Sequence, residues 1–92
     1  MDRALALLQM LKVDLGISTT AYDDRLTQFL QTAAKEIERE GYELTDAADD
    51  ANLQVMYAAW MWRRRDTGAG MPRMLRWQLN NRLFDVGGES NG

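Results

Sequence analysis

Ninety-two residues, 46% hydrophobic and 27% charged with a single proline, make one globular domain and argue against disorder throughout. A chain this short hides only roughly 60–65% of its unfolded surface, so each helix needs a well-filled contact face or a neighbouring subunit to supply one. It has no cysteine and no histidine, which excludes disulfides, thiolate metal sites and every Ser-His or Cys-His arrangement. The net charge of −3 divides unevenly, −6 over residues 1–62 and +3 over residues 63–92. Solvated faces account for that asymmetry, and so does a basic end that meets an acidic surface on a neighbour.

The first helix is expected from Asp2 to Leu15, with Leu8, Leu11 and Leu15 on one side together with Ala4. Gly16 supplies its stop, where a left-handed backbone costs glycine nothing. The start Met1-Asp2-Arg3-Ala4-Leu5 does not read as a signal peptide. No stretch approaches the roughly 20 apolar residues of a membrane span. A soluble protein made in a cytoplasm is expected.

A second helix begins between Ala21 and Asp24 and ends at Glu40 or Gly41. Leu26, Phe29, Leu30, Ala33 and Ile37 form its buried stripe, and Asp23 and Asp24 favour the positive end of its dipole. Residues 41–50 form the longest break, in which Thr45, Asp46, Asp49 or Asp50 can cap the next helix. The run from Glu36 to Asp50 holds seven acids against Arg39 alone, but it lacks the calcium-loop pattern. Capping and a solvated face explain it better than a metal.

The third helix, from about Ala51 to Asp66, is apolar on nearly all sides. Leu53, Met56, Tyr57, Trp60 and Met61 make one broad face, Val55 and Trp62 lie opposite, and Ala58 and Ala59 fill the flanks. It is central with neighbours on two sides, or its second face meets another subunit, or both hold. Arg63, Arg64 and Arg65 follow at its C-terminal end, where cations suit the dipole and their stems can cover apolar surface. Arg64 continues the stripe of Tyr57 and Trp60, so it must snorkel or pair with a carboxylate. Pro72 fits the first turn of a fourth helix that runs to about Phe84. Leu75, Leu79 and Leu83 share one face of it, and Trp77 and Phe84 lie opposite, a surplus that calls for a second partner. The fold expected is all-α, a compact bundle of about four helices over residues 1–84 with a flexible tail at 85–92.

Little here serves catalysis. Gly68-Ala69-Gly70 lacks the phosphate-loop pattern, and the only serines, Ser18 and Ser90, have no histidine to activate them. Carboxylate pairs such as Asp23/Asp24 and Asp49/Asp50 sit at helix starts, where capping explains them. An enzyme is not expected, and no cofactor or metal. A small helical DNA-binding regulator is the alternative, resting on Arg63–Arg65, Arg73, Arg76 and Arg82 and the Asn80-Asn81 pair. Against it, DNA readers expose polar base-reading residues, whereas the candidates for the exposed face here include Trp77 and Phe84.

The order of motifs resembles the head–tail connector proteins of tailed bacteriophages. The phrases carrying the resemblance are LALLQMLKVDLGI (5–17), YDDRLTQFLQTAAKEIEREG (22–41), QVMYAAWMWRRRDTG (54–68) and MPRMLRWQLNNRLF (71–84). Each alone is weak; their order and spacing over residues 4–84 make the match. The resemblance implies a structural virion protein of the head–tail junction, made in the bacterial host cytoplasm. Such a subunit assembles as a homo-oligomeric ring beneath the portal protein, extends the DNA channel and docks a tail or head-closure protein. DNA would pass through it without specific binding, and no membrane is involved. The family offers no catalytic residue to carry over. From the residues themselves, Trp62, Trp77 and Phe84 are the expected subunit or partner contacts. Arg63, Arg65, Arg73 and Arg76 are expected in inter-subunit ion pairs or facing the channel.

Overall fold

The structure, a computed structural model, describes residues 2–67 and 70–81. Among them are four helices and no strand: α1 (Arg3–Leu15), α2 (Asp23–Arg39), α3 (Ala48–Thr67) and α4 (73–81). The all-α bundle is therefore as expected; the tail at 85–92, with Leu83 and Phe84, lies outside the described residues.

Helix α1 starts on Asp2, whose side chain accepts from the Ala4 amide, and ends on Gly16 at φ 72°. There the Gly16 amide donates to the Val13 carbonyl and the Ile17 amide to the Lys12 carbonyl, a Schellman turn. Its buried face differs from the expected one: Leu7, Leu8, Leu11 and Lys12 are buried, Leu15 is half-buried and Ala4 is exposed. The stripe is broader because α1 packs against both α2 and α3. Lys12 is the surprise. Its ammonium stands 2.9 Å from Asp23 Oδ1 at the start of α2, off the line of a hydrogen bond, so the two are held as an ion pair.

In α2 the expected stripe is buried at Leu26, Leu30, Ala33 and Ile37, with Phe29 half-buried beside it. Helix α3 starts at Ala48, three residues before the expected Ala51, because the preceding loop caps it. Thr45 Oγ1 accepts from the Ala47 amide, while the carboxylate of Asp50 reaches back to the Thr45 amide at 2.8 Å and to the Thr45 hydroxyl. Tyr42 donates its hydroxyl to the same carboxylate at 2.8 Å. Asp50 is 1% exposed, so it ties the whole linker to the helix from inside. Of the other capping candidates, Asp46 is turned outward to a distant Arg3 at 3.9 Å.

Helix α3 is central, the first of the two arrangements its apolar faces allow. It packs on α2 and on α1, burying Ala51, Leu53, Val55, Tyr57, Ala58, Ala59 and Trp62. Gln54, also buried, donates to the Leu30 carbonyl at 2.9 Å and fastens α3 to α2. Helix α4 closes the core with Leu75 and Leu79, and Arg76 reaches Glu40 at 2.8 Å. Pro72 stands one position earlier than expected, its carbonyl accepting the first helical bond from the Arg76 amide.

Asp50→Ala deletes an acceptor shared by three donors, and the expected loss is about 2 kcal/mol or more; urea unfolding measures it, with Asp50→Asn falling between the two.

Candidate interaction surface

The three tryptophans occupy three environments. Trp62 is 9% exposed, wedged edge-on between Tyr22 and Phe29 with ring centroids 5.6 Å away in each case. The guanidinium of Arg65 covers its remaining face at 3.6 Å and donates to the Trp62 carbonyl. Trp62, expected as a partner contact, thus spends nearly all its surface inside its own chain. Trp60 is half-buried, packed edge-on to Tyr57 at 5.3 Å, and donates its indole N–H to the Gly70 carbonyl at 3.1 Å. That bond folds the segment before α4 back on α3. Trp77 is 61% exposed.

The arginines divide in the same way. Arg64 stacks over Trp60 at 4.6 Å, which answers where its charge goes: onto a ring rather than to a carboxylate. Arg63 donates to the Asp14 carbonyl at 3.2 Å and lies 3.4 Å from its carboxylate, tying the end of α3 to the end of α1. With Arg65 on Trp62 and Arg76 on Glu40, these cations serve the fold first. Arg73 differs. It is exposed and shares the outer face of α4 with Trp77 one turn later, around a shallow surface depression that Met74 also lines.

The structure therefore brings Arg73, Met74 and Trp77 together and separates Trp62 from them; Phe84 lies outside the described residues. Four exposed large apolar residues were not singled out by sequence: Leu5, Tyr22, Met74 at 61% and Val13 at 81% exposure. The spacing held the signal for Met74 and Val13. Met74 cannot share a face with Leu75 and Leu79 by helical periodicity, and Val13 falls off the Leu8–Leu11–Leu15 stripe.

Two grooves flank this region. One, of about 370 Å³, runs between α3 and the start of α4, lined by Trp60, Arg63, Arg64, Pro72 and Met74. The other, of about 480 Å³, lies where α1, α3 and α4 meet, with Met10, Val13, Val55 and Met56 as apolar lining and Asp14 and Asp49 among its acids. Among the described residues, no three His, Cys, Asp or Glu side chains are grouped to hold a metal ion. No described helix is long and apolar enough to cross a membrane. The arrangement offers surfaces for contact, with a knob and two hollows.

The Tyr57 phenol, buried in the core, is displaced from its ordinary behaviour. Burial raises the pKa of the Tyr57 phenol, Glu40 and Glu36 push the same way, and Arg76 and Arg64 oppose them. The fold thus holds the proton more tightly than the unfolded chain does. Stability from this source is complete below about pH 10 and is lost as pH rises beyond it. Tyr57→Phe is expected to flatten the alkaline fall in stability, measured by denaturant midpoints across pH 9–11, taken as approximate bounds around the tyrosine range.

The tryptophans give a second contrast. Trp62→Ala is expected to cost about 3–5 kcal/mol, whereas Trp77→Ala changes stability by no more than about 0.5 kcal/mol; thermal or urea unfolding compares them directly.

No family model matches the chain, and no curated protein or solved structure matches it.

Proposed function

We propose that this chain is a head–tail connector subunit of a tailed phage or prophage, a structural protein that assembles as a ring under the portal. The observation that carries the proposal is the outer face of α4, where Trp77 and Met74 are each 61% exposed beside Arg73. Tryptophan and arginine are the residues that most often anchor protein interfaces, and here neither Trp77 nor Met74 is needed to fill the core. The ordered resemblance of residues 4–84 to connector proteins supplies the kind of interface. The division of charge, acidic early and basic late, suits contacts between identical subunits in a closed ring.

In this reading the subunit does no chemistry. Its partners are further copies of itself, the portal protein above and a tail or head-closure protein below, with DNA passing through the channel. The duplex-binding alternative has weaker support, because Arg63, Arg64, Arg65 and Arg76 are engaged on Asp14, Trp60, Trp62 and Glu40. It predicts a gel shift with duplex DNA that weakens steeply with salt.

Mixing the purified chain with portal rings of the phage or prophage that encodes it tests the proposal. Co-sedimentation and added density below the portal channel in electron micrographs are expected, with Trp77→Ala reducing occupancy. Portal rings that sediment without the chain at every concentration tried would count against it.

A further inference from the structure

The groove of about 370 Å³ between α3 and the start of α4 combines an apolar lining with an unanswered positive charge. Ala59, Pro72, Met74 and Leu75 supply the apolar surface, and Trp60 and Arg64 stand on the α3 side. The carboxylate among its lining residues, Asp14, is already taken by Arg63, which lies 3.4 Å from it and also bonds the Asp14 carbonyl. That pair cancels, and Arg64 remains. Its guanidinium lies over the Trp60 ring at 4.6 Å, and among the described residues no carboxylate or carbonyl meets it. The ring beneath is fixed in turn, edge-on to Tyr57 and bonded through its N–H to the Gly70 carbonyl. Stacking uses the face of a guanidinium and leaves its in-plane N–H groups, the fork that grips a carboxylate, for a partner.

A second such cation stands close by. Met74 lines both this groove and the depression it shares with Arg73 and Trp77, so the apolar surface continues through Met74 to the exposed indole. Arg73 is exposed and has no partner among the described residues. We propose that the groove receives an acidic, apolar-centred segment of a partner polypeptide. Its apolar side chain would rest on Ala59, Pro72 and Leu75, and its carboxylates on Arg64 and Arg73. Two features choose a polypeptide. A free amphiphilic anion would fill the groove and leave Trp77, 61% exposed, in water, whereas a chain can continue over Met74 onto it. A duplex presents its phosphates outermost, which would answer the cations and leave the apolar lining unmatched. Charge complementarity then selects the partner, while apolar contact and the arginines supply the affinity.

This inference rests on the interface proposed above and states what its partner must carry. An NMR titration of the isotope-labelled chain tests it, using a blocked peptide of glutamate, leucine and phenylalanine. Two control peptides replace glutamate by lysine, or leucine and phenylalanine by alanine. The Trp60 indole N–H and the Gly70 and Met74 amides are expected to shift with the first peptide alone. Arg64→Gln and Arg73→Gln, both at exposed positions, are each expected to weaken binding roughly tenfold, near the lower end of what a hydrogen bond to a charged group supplies. Equal shifts with the lysine peptide, or none at millimolar acidic peptide, would overturn the inference. So would stronger shifts of these signals with octanoate or duplex DNA, which would make the occupant a free amphiphile or a nucleic acid. The same shifts on concentrating the chain alone would overturn it in favour of a second copy. Peptide binding without portal co-sedimentation would keep the groove's occupant and remove the connector. Portal co-sedimentation without peptide binding would do the reverse.

Discussion

A helix that is apolar on almost every side has to be surrounded, and in a chain of 92 residues there is little else to surround it with. Helix α3 imposes that condition. Leu53, Tyr57 and Ala58 must face one set of neighbours while Val55, Ala59 and Trp62 face others, and all are buried. Helices α1 and α2 meet the demand from two sides, and Leu75 and Leu79 of α4 complete it. What the smaller helices keep on their outward faces is therefore what α3 does not consume. The exposed Leu5, Val13, Met74 and Trp77 are among the remainder.

The polar ties follow the same geometry. Lys12 with Asp23 holds the N-terminal end of α2 against α1, Gln54 bonds across to α2, and Arg76 bonds α4 to the far end of α2 at Glu40. The exposed pairs among these add little each. Gln54 and Lys12 are buried, so their value lies in specifying register: a slip of either helix would strand an amide or an ammonium without a partner. Asp50 does the same for the linker, since the Tyr42 and Thr45 donors converge on one carboxylate.

Periodicity made the helices legible. The Leu26 to Ile37 stripe, Gly16 as a stop and Leu75 with Leu79 as an inner face all read directly from spacing, because each reflects a local rule of backbone or side-chain direction. The central position of α3 was visible only as a choice between two arrangements, since spacing tells how many faces are apolar and not what covers them. Trp62 shows the limit most clearly. Its place opposite the main stripe marked it as surplus, but Tyr22 and Phe29 of α2 and its approach cover it. That pairing is tertiary and has no signature in the spacing. Lys12 and Asp50 were opaque for a related reason: charged residues read as surface until an ion pair or a set of donors brings them inside. The candidate surface was half legible, with Trp77 read from the helical wheel of α4, Arg73 from its charge, and Met74 missed.

The unequal exposure of the three indoles has a practical side. Trp62 lies sealed beneath a guanidinium, Trp60 is anchored through its N–H to Gly70, and Trp77 stands in solvent. The chain thus carries its own optical reporters. Emission from Trp77 senses what touches α4, while Trp62 senses only whether the core is intact. A collisional quencher such as acrylamide separates the two signals, so contact at α4 and unfolding of the core can be followed independently in one sample without attaching a dye.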